Sequence, residues 1–142
     1  MDVIRRNTDY GLRAMINLAG RAPREAVSAK VLAQQEEVSY QLICKLLQKL
    51  QRAGYIKSLM GPSGGYRMAK LPSEVTLGEI VDLLQGPVKI NRCLSDEEAC
   101  SRQHTCVVSE SLKKIQRDLE KYMTTVTLEQ LVNEKKSQAK KS

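Results

Sequence analysis

The 142-residue chain has no tryptophan, no phenylalanine, a single histidine and only four prolines. A core without those large rings has to be built from Leu, Ile, Val, Met and Ala, which suits packed helices. No apolar run approaches the roughly 20 residues that cross a bilayer, and no signal peptide precedes the first helical pattern. A cytoplasmic protein with no membrane partner is therefore expected. The lone His104, beside Cys106, is the one base that could activate a thiol nucleophile. No oxyanion or substrate motif accompanies it, so no enzyme is expected. The length fits one domain with a real core and is too short for two.

What the chain has in excess is positive charge, +7 in total. An acidic partner follows, and nucleic acid is the commonest. Part of the excess carries no information. Glu134–Ser142 holds four lysines against one glutamate, so +3 sits there and +4 remains for the rest. With nothing apolar larger than Ala139, residues 133–142 are expected to form a disordered basic tail.

Four cysteines in a cytosolic chain are ligands or reactive thiols more often than a disulfide framework. Three of them, Cys93, Cys100 and Cys106, form a C-x6-C-x5-C loop that also holds His104. Structural zinc sites usually present ligands in close C-x2–4-C pairs. Gaps of six and five fit a loop wrapped around something larger than one ion, although spacing alone leaves zinc and iron–sulfur both open. The polar neighbours (Ser, Asp, Glu, Arg, Gln) argue against cysteines packed as small hydrophobes.

Ahead of this loop the pattern is that of a DNA-binding head. Thr8 or Asn7 can cap a first helix, with Asp9 in its first turn, and Leu12, Met15, Ile16 and Ala19 recur at helical spacing up to Gly20. Ser28 opens a short second helix with Val31 and Leu32 inward. After a turn at Glu36–Val38, Ser39 caps a third helix reaching about Ala53. Leu42, Ile43, Leu46, Leu47 and Leu50 form its apolar stripe; Gln41, Lys45, Gln48 and Arg52 form a polar, basic face. Two short helices joined by a tight turn, the second with a basic outer face, make a helix-turn-helix pattern.

Tyr55–Leu59 and Tyr66–Ala69 then alternate as strands around the turn Gly61-Pro62-Ser63-Gly64-Gly65. The turn fails as a nucleotide phosphate cradle, because no Lys-Ser/Thr and no helix follow it. As the wing of a winged helix, its glycines let backbone approach a sugar–phosphate wall, with Lys57 and Arg67 supplying charge. Thr76-Leu-Gly-Glu79 is a capping box that starts a helix with Leu77, Ile80, Val81 and Leu84 inward, broken at Gly86-Pro87. Beyond the cysteine loop, Val108, Leu112, Ile115, Leu119, Tyr122 and Val126 step by 4, 3, 4, 3 and 4, a heptad seam that seeks a second copy. A homodimer on a palindromic operator of double-stranded DNA is the expected assembly. Thr127-Leu-Glu-Gln130 caps a last short helix with Leu128, Leu131 and Val132.

The run Thr8-Asp9-Tyr10-Gly11-Leu12-Arg13-Ala14, the wing Gly61-Pro62-Ser63-Gly64-Gly65-Tyr66-Arg67 and the trio Cys93, Cys100 and Cys106 occur in this order. Together they resemble the Rrf family of bacterial winged-helix regulators, which includes the IscR, NsrR and RirA iron–sulfur regulators and the cysteine-metabolism regulator CymR. The resemblance spans about residues 1–132. It implies a homodimer with swapped long helices and an iron–sulfur cluster, four-iron favoured over two-iron, ligated by Cys93, Cys100 and Cys106. The fourth ligand differs among subfamilies. Where the IscR type has histidine this chain has Ser109; where the NsrR type uses an aspartate from the other subunit it has Asp9. Asp9 ranks first, His104 second and an external ligand third. The DNA-facing residues the resemblance implies are Ser39, Tyr40, Gln41 and Lys45, with the wing residues Ser63, Gly64, Gly65 and Tyr66. Met60 stands where the family usually has a basic residue, which shifts that role towards Lys57 or Arg67. Cys44, next to Lys45, reads as a neutral residue before a redox thiol.

The expected fold is mainly α with a small β-hairpin: a winged helix-turn-helix head over residues 1–86, a cluster-binding loop over 87–107 and a dimerisation helix plus a short helix over 108–132. The expected function is a DNA-binding transcriptional repressor controlled by an iron–sulfur cluster that senses iron, nitric oxide or redox state. The alternative is a cluster-free winged-helix regulator that senses thiol oxidation or a small metabolite.

Overall fold

The structure, a computed structural model, describes residues 2–95 and 100–141. Its helices are α1 (Arg6–Ala19), α2 (Ala29–Glu36), α3 (Tyr40–Arg52), α4 (Leu77–Gln85), α5 (Val107–Thr125) and α6 (Leu128–Lys141). The strands β1 (Ile56–Leu59) and β2 (Gly65–Met68) lie between α3 and α4, and 3-10 turns occupy Pro72–Glu74 and Arg92–Leu94. The fold is a winged helix-turn-helix head followed by a long helix, as the sequence patterns predict.

The entry to α1 corrects the expected cap. Asn7 and Thr8 lie inside the helix, and Arg5 is its N-cap without a side-chain bond. The reason is tertiary. Gln85 at the end of α4 accepts from the Arg5 N–H and donates to the Val3 carbonyl, both at 2.9 Å, so α4 ties down the lead-in and Thr8 is buried. In α2 the Ser28 hydroxyl accepts from the Val31 N–H as expected, but Val31 is exposed while Leu32 and Ala33 are buried. A helix of two turns brings only a narrow strip to the core. Glu37 turns the chain into α3 with a left-handed φ of 55°. Ser39 caps α3 through the Leu42 N–H, and Ile43, Leu46, Leu47 and Leu50 are buried.

The hairpin is antiparallel, pairing Ile56 with Met68, Lys57 with Arg67, Ser58 with Tyr66 and Leu59 with Gly65. Val27 and Tyr66 exchange N–H···O bonds of 2.9 and 2.7 Å, which fastens the wing to the chain ahead of α2.

Helix α4 is the keystone. Its capping box is complete, with the Thr76 hydroxyl accepting from the Glu79 N–H and the Glu79 carboxylate accepting from the Thr76 N–H. It packs against α1, α3 and α5, and glycines let it approach two of them closely. A Cβ at Gly11 of α1 would stand 2.4 Å from the Leu84 Cδ1 of α4, and one at Gly78 of α4 would stand 3.0 Å from the Met123 carbonyl oxygen of α5. The starts of α4 and α6 are also bound together: Leu77 N–H donates to Val126 O and Leu128 N–H to Val75 O.

Helix α5 turns Ser109, Gln116 and Met123 into the protein. The heptad seam is therefore divided, with Val126 buried, Leu112 and Leu119 half-buried, and Val108, Ile115 and Tyr122 63, 54 and 58% exposed. Helix α6 buries Leu128 and Val132 and packs along α1. It then continues to Lys141, correcting the expected structureless tail. Residues 133–141 are exposed, and their Glu, Lys, Gln and Ala are strong helix formers that extend a helix already anchored.

The close contact at Gly78 gives a test. Gly78→Val places branched carbons against the Met123 backbone and should destabilise the fold by about 1–3 kcal/mol, the usual cost of overpacking. A urea midpoint equal to that of the parent chain would show that α5 separates freely from α4.

Candidate nucleic-acid interface and cysteine loop

Ser39, Tyr40, Gln41 and Lys45 stand exposed on α3 and its cap. The Tyr40 hydroxyl is held above its ordinary pKa, first by a hydrogen bond to the Cys44 thiol and then by the charge there, with Tyr66 of the wing adding a smaller push. Gln51 Nε2 donates to Ser58 Oγ at 3.1 Å and clamps the hairpin to α3. Cys44 is half-buried beneath Tyr40 as a free thiol.

The wing glycines have an internal reason that spacing did not reveal. Gly65 has φ +141°, and a Cβ on it would come 2.4 Å from the Val27 carbonyl; a Cβ on Gly64 would meet the Leu59 carbonyl oxygen at 2.2 Å. Ser63 and Lys57 are exposed at the wing, and Met60 is 97% exposed. Arg67 departs from the group. Although opposite Lys57 in register, it is half-buried in a cleft with Leu18, Glu25 and Leu71, to which α3 contributes nothing. Its Nε is buried without a hydrogen-bond partner among the described residues.

In the cysteine loop, residues 96–99 lie outside the described residues. The buried Ser109 hydroxyl donates to Cys93 Sγ at 3.8 Å, and Cys106 is the N-cap of α5. Cys93 and Cys106 therefore both border the first turn of α5. Cys100 is exposed. Among the described residues no three metal-ligating side chains are gathered. Asp9 is exposed on α1, its carboxylate 3.9 Å from Arg13, and His104 is exposed on the wall of a cavity it shares with Cys93. Three thiols, two of them at a helix N-terminus, match the donor chemistry of an iron–sulfur group. Among the described residues no fourth donor is assembled beside them.

The residue that positions this loop was not legible in the sequence. Gln116, only 5% exposed, donates from Nε2 to Val88 O at 2.6 Å and to Glu120 Oε1 at 2.9 Å, while its amide oxygen accepts from the Ile90 N–H at 3.0 Å. It brackets the segment 88–90 leading to Cys93 against α5. Its bond to Glu120, helped by Lys89, holds that carboxyl below its ordinary pKa; Lys113 does the same for Glu110. In the sequence Gln116 is one more polar residue beside an apolar seam, and no spacing marks it.

Comparison with known proteins agrees with this geometry. The family described as Rrf2, iron-dependent transcriptional regulator, matches residues 4–134. The chain belongs to this family. It is 32% identical over 124 residues to the regulator CymR of Bacillus subtilis, covering 87% of this chain and 85% of that protein. It is 27% identical to the Rrf2 protein of Nitratidesulfovibrio vulgaris, covering 88 and 83%. Among solved structures, B. subtilis CymR, titled a global cysteine regulator, superposes with a TM-score of 0.78 at 32% identity over 94% of this chain and 98% of that one. IscR of T. potens gives 0.74 at 25% identity over 92 and 86%. This Rrf2-family member is a DNA-binding transcriptional regulator and not an enzyme, and no described helix is long and apolar enough to cross a membrane.

Gln116→Ala strands the Val88 carbonyl and Ile90 N–H, so the expected loss of stability is about 1–3 kcal/mol. Amide exchange at Ile90 should accelerate along with it. Unaltered exchange there would place the bracket elsewhere.

Proposed function

We propose that this Rrf2-family regulator is a homodimeric repressor of a palindromic operator, controlled by an iron–sulfur cluster held by Cys93, Cys100 and Cys106. Four-iron is preferred to two-iron, and Asp9 from the second subunit is the first candidate for the remaining ligand. The observation that supports it best is that Cys93, which accepts from Ser109, and Cys106, the N-cap, both border the first turn of α5. When bound, such a cluster supplies a centre reactive towards oxygen, nitric oxide or iron withdrawal. The protein's own part is to convert the order of the loop into the order of the head. Ser109 orients Cys93, Gln116 fixes the preceding segment, and the Gly78 contact couples α5 to α4. A bound group biases DNA binding only by its differential affinity for the two arrangements.

The exposed stripe Val108, Ile115 and Tyr122 recurs every seven residues and supports a second copy as its cover. Ile115→Lys should convert a dimer to monomers in sedimentation; an unshifted mass would put the interface elsewhere. On the DNA side, Lys45→Ala should weaken operator binding and reduce the slope of log affinity against log salt by about one. Unchanged binding after both Lys45→Ala and Gln41→Ala would remove α3 as the recognition helix.

For the cluster, anaerobic purification should yield a coloured protein with iron and sulfide, abolished by Cys93→Ser. A colourless, iron-free preparation with normal operator binding rejects that control. The second reading, a cluster-free thiol regulator, is favoured by two observations: the described residues gather no metal site, and a similar regulator, Staphylococcus aureus CymR, has been solved in an oxidised form. It predicts that mild oxidant alone changes operator affinity in the iron-free protein.

A further inference from the structure

We propose that the cleft at the base of the wing, between the end of α1 and the segment 67–74, is an effector site for an α-amino acid with an apolar side chain. This goes beyond the DNA and cluster readings and depends on neither. The cleft measures about 360 Å³, within the roughly 300–1,000 Å³ range of small-molecule sites. Among the described residues its wall comes from 18–25 and 67–74 alone, clear of the cysteine loop and of α3.

The charged side chains of the wall divide into committed and uncommitted ones. Arg21 donates to Asn17 Oδ1 at 2.9 Å, Glu25 Oε1 at 2.8 Å and Gln35 Oε1 at 2.7 Å, and so occupies Glu25. Lys70 Nζ lies 4.4 Å from the centre of the Tyr55 ring. Arg67, by contrast, makes no hydrogen bond or ion pair with any described residue, although its Nε is buried. A guanidinium drawn out of bulk water without a partner is costly, and its planar fork matches a carboxylate. Glu74 is likewise without an ion pair among the described residues, and its charge matches an ammonium. One uncommitted charge of each sign beside the apolar Leu18, Met68 and Leu71 is complementary to an apolar zwitterion. Leu71 is 63% exposed, and the ligand's side chain would cover it.

The wall is built before any ligand arrives. Glu25 N–H donates to Ala22 O, Glu74 N–H to Leu71 O and Ala69 N–H to Tyr55 O, each at 2.9 Å, so little order has to be bought by binding. The two sides of the cleft run directly into the Val27–Tyr66 bridge. An amino acid held by Arg67 and Glu74 would brace that bridge, and with it the set of the wing against the chain entering α2.

The test is calorimetric titration of the reduced, full-length protein with L-leucine and L-methionine. The controls are 4-methylpentanoate, which lacks the amine, and 3-methylbutylamine, which lacks the carboxylate. One saturable site per chain is expected for at least one amino acid, with a Kd of about 1 mM or tighter and both controls about tenfold or more weaker. Arg67→Gln should weaken amino-acid binding about tenfold, and Arg67→Lys should restore it only in part, because the fork is lost. Glu74→Gln should bring leucine down to the affinity of 4-methylpentanoate, a selective change that a merely structural role would not produce. Thermal unfolding confirms that each variant is folded; should Arg67→Gln fail to fold, Glu74→Gln and Leu71→Ser, which should also weaken leucine, decide. No saturable binding of either amino acid, equal binding of either control, or undiminished binding in the folded Arg67→Gln or Glu74→Gln protein overturns the proposal. The titration uses neither DNA nor iron, so the operator and cluster readings stand or fall separately from it.

Discussion

The structure depends on how closely α4 can lie between its neighbours. One flank meets α1 where Gly11 faces Leu84, and the other meets α5 where Gly78 faces the Met123 backbone. At Gly78 the neighbour is backbone, so no compliant layer of side chains absorbs a shift there. Dense interiors move between discrete arrangements rather than deforming smoothly. Helix α4 also ties the N-terminal lead-in through Gln85, so the end of the chain that carries Asp9 is referenced to the same helix as the cysteine loop.

The polar interior is concentrated at one place. Gln116 and Ser109 are buried beside the segment 88–93 that delivers Cys93, and both are hydrogen-bonded. Satisfied polar groups of this kind specify one geometry more sharply than apolar packing does. The loop beyond Cys93 can change its contents while the approach to it stays fixed, which is what a regulator needs if a chemical event in a loop is to have a mechanical meaning. The outer face of α3 and the wing contrasts with this. Ser39, Tyr40, Gln41, Lys45 and Ser63 are exposed there, and order comes from beneath, through the Ser58–Gln51 clamp and the Val27–Tyr66 bridge.

Much of the head was legible because its signals are local. Ser28, Ser39, Thr76 and Thr127 cap as their spacing predicts, and the α3 stripe is buried as its period requires. What spacing could not convey was set by distant partners. Gln85 overrides the Thr8 cap, Arg67 withdraws into a cleft with Leu18, and Gly65 answers to Val27 as much as to any ligand. The cysteine trio was visible as a pattern, but the bracket by Gln116 was not, since a buried glutamine on an amphipathic helix looks like any other polar residue. The α6 extension was missed for the opposite reason: composition suggests disorder, whereas an anchored helix propagates through good helix formers.

The joined starts of α4 and α6 have a consequence for how this architecture can be taken apart. Leu77 and Leu128 each give their N–H to the carbonyl preceding the other's cap, and Leu128 is fully buried. The winged head and the C-terminal helices therefore share one seam of backbone bonds and one core, with no cut point between them. Such a chain does not behave as two cassettes on a string. A new sensing loop could be grafted between Gly86 and Val107, inside the frame, but removing everything after α5 would open the head itself.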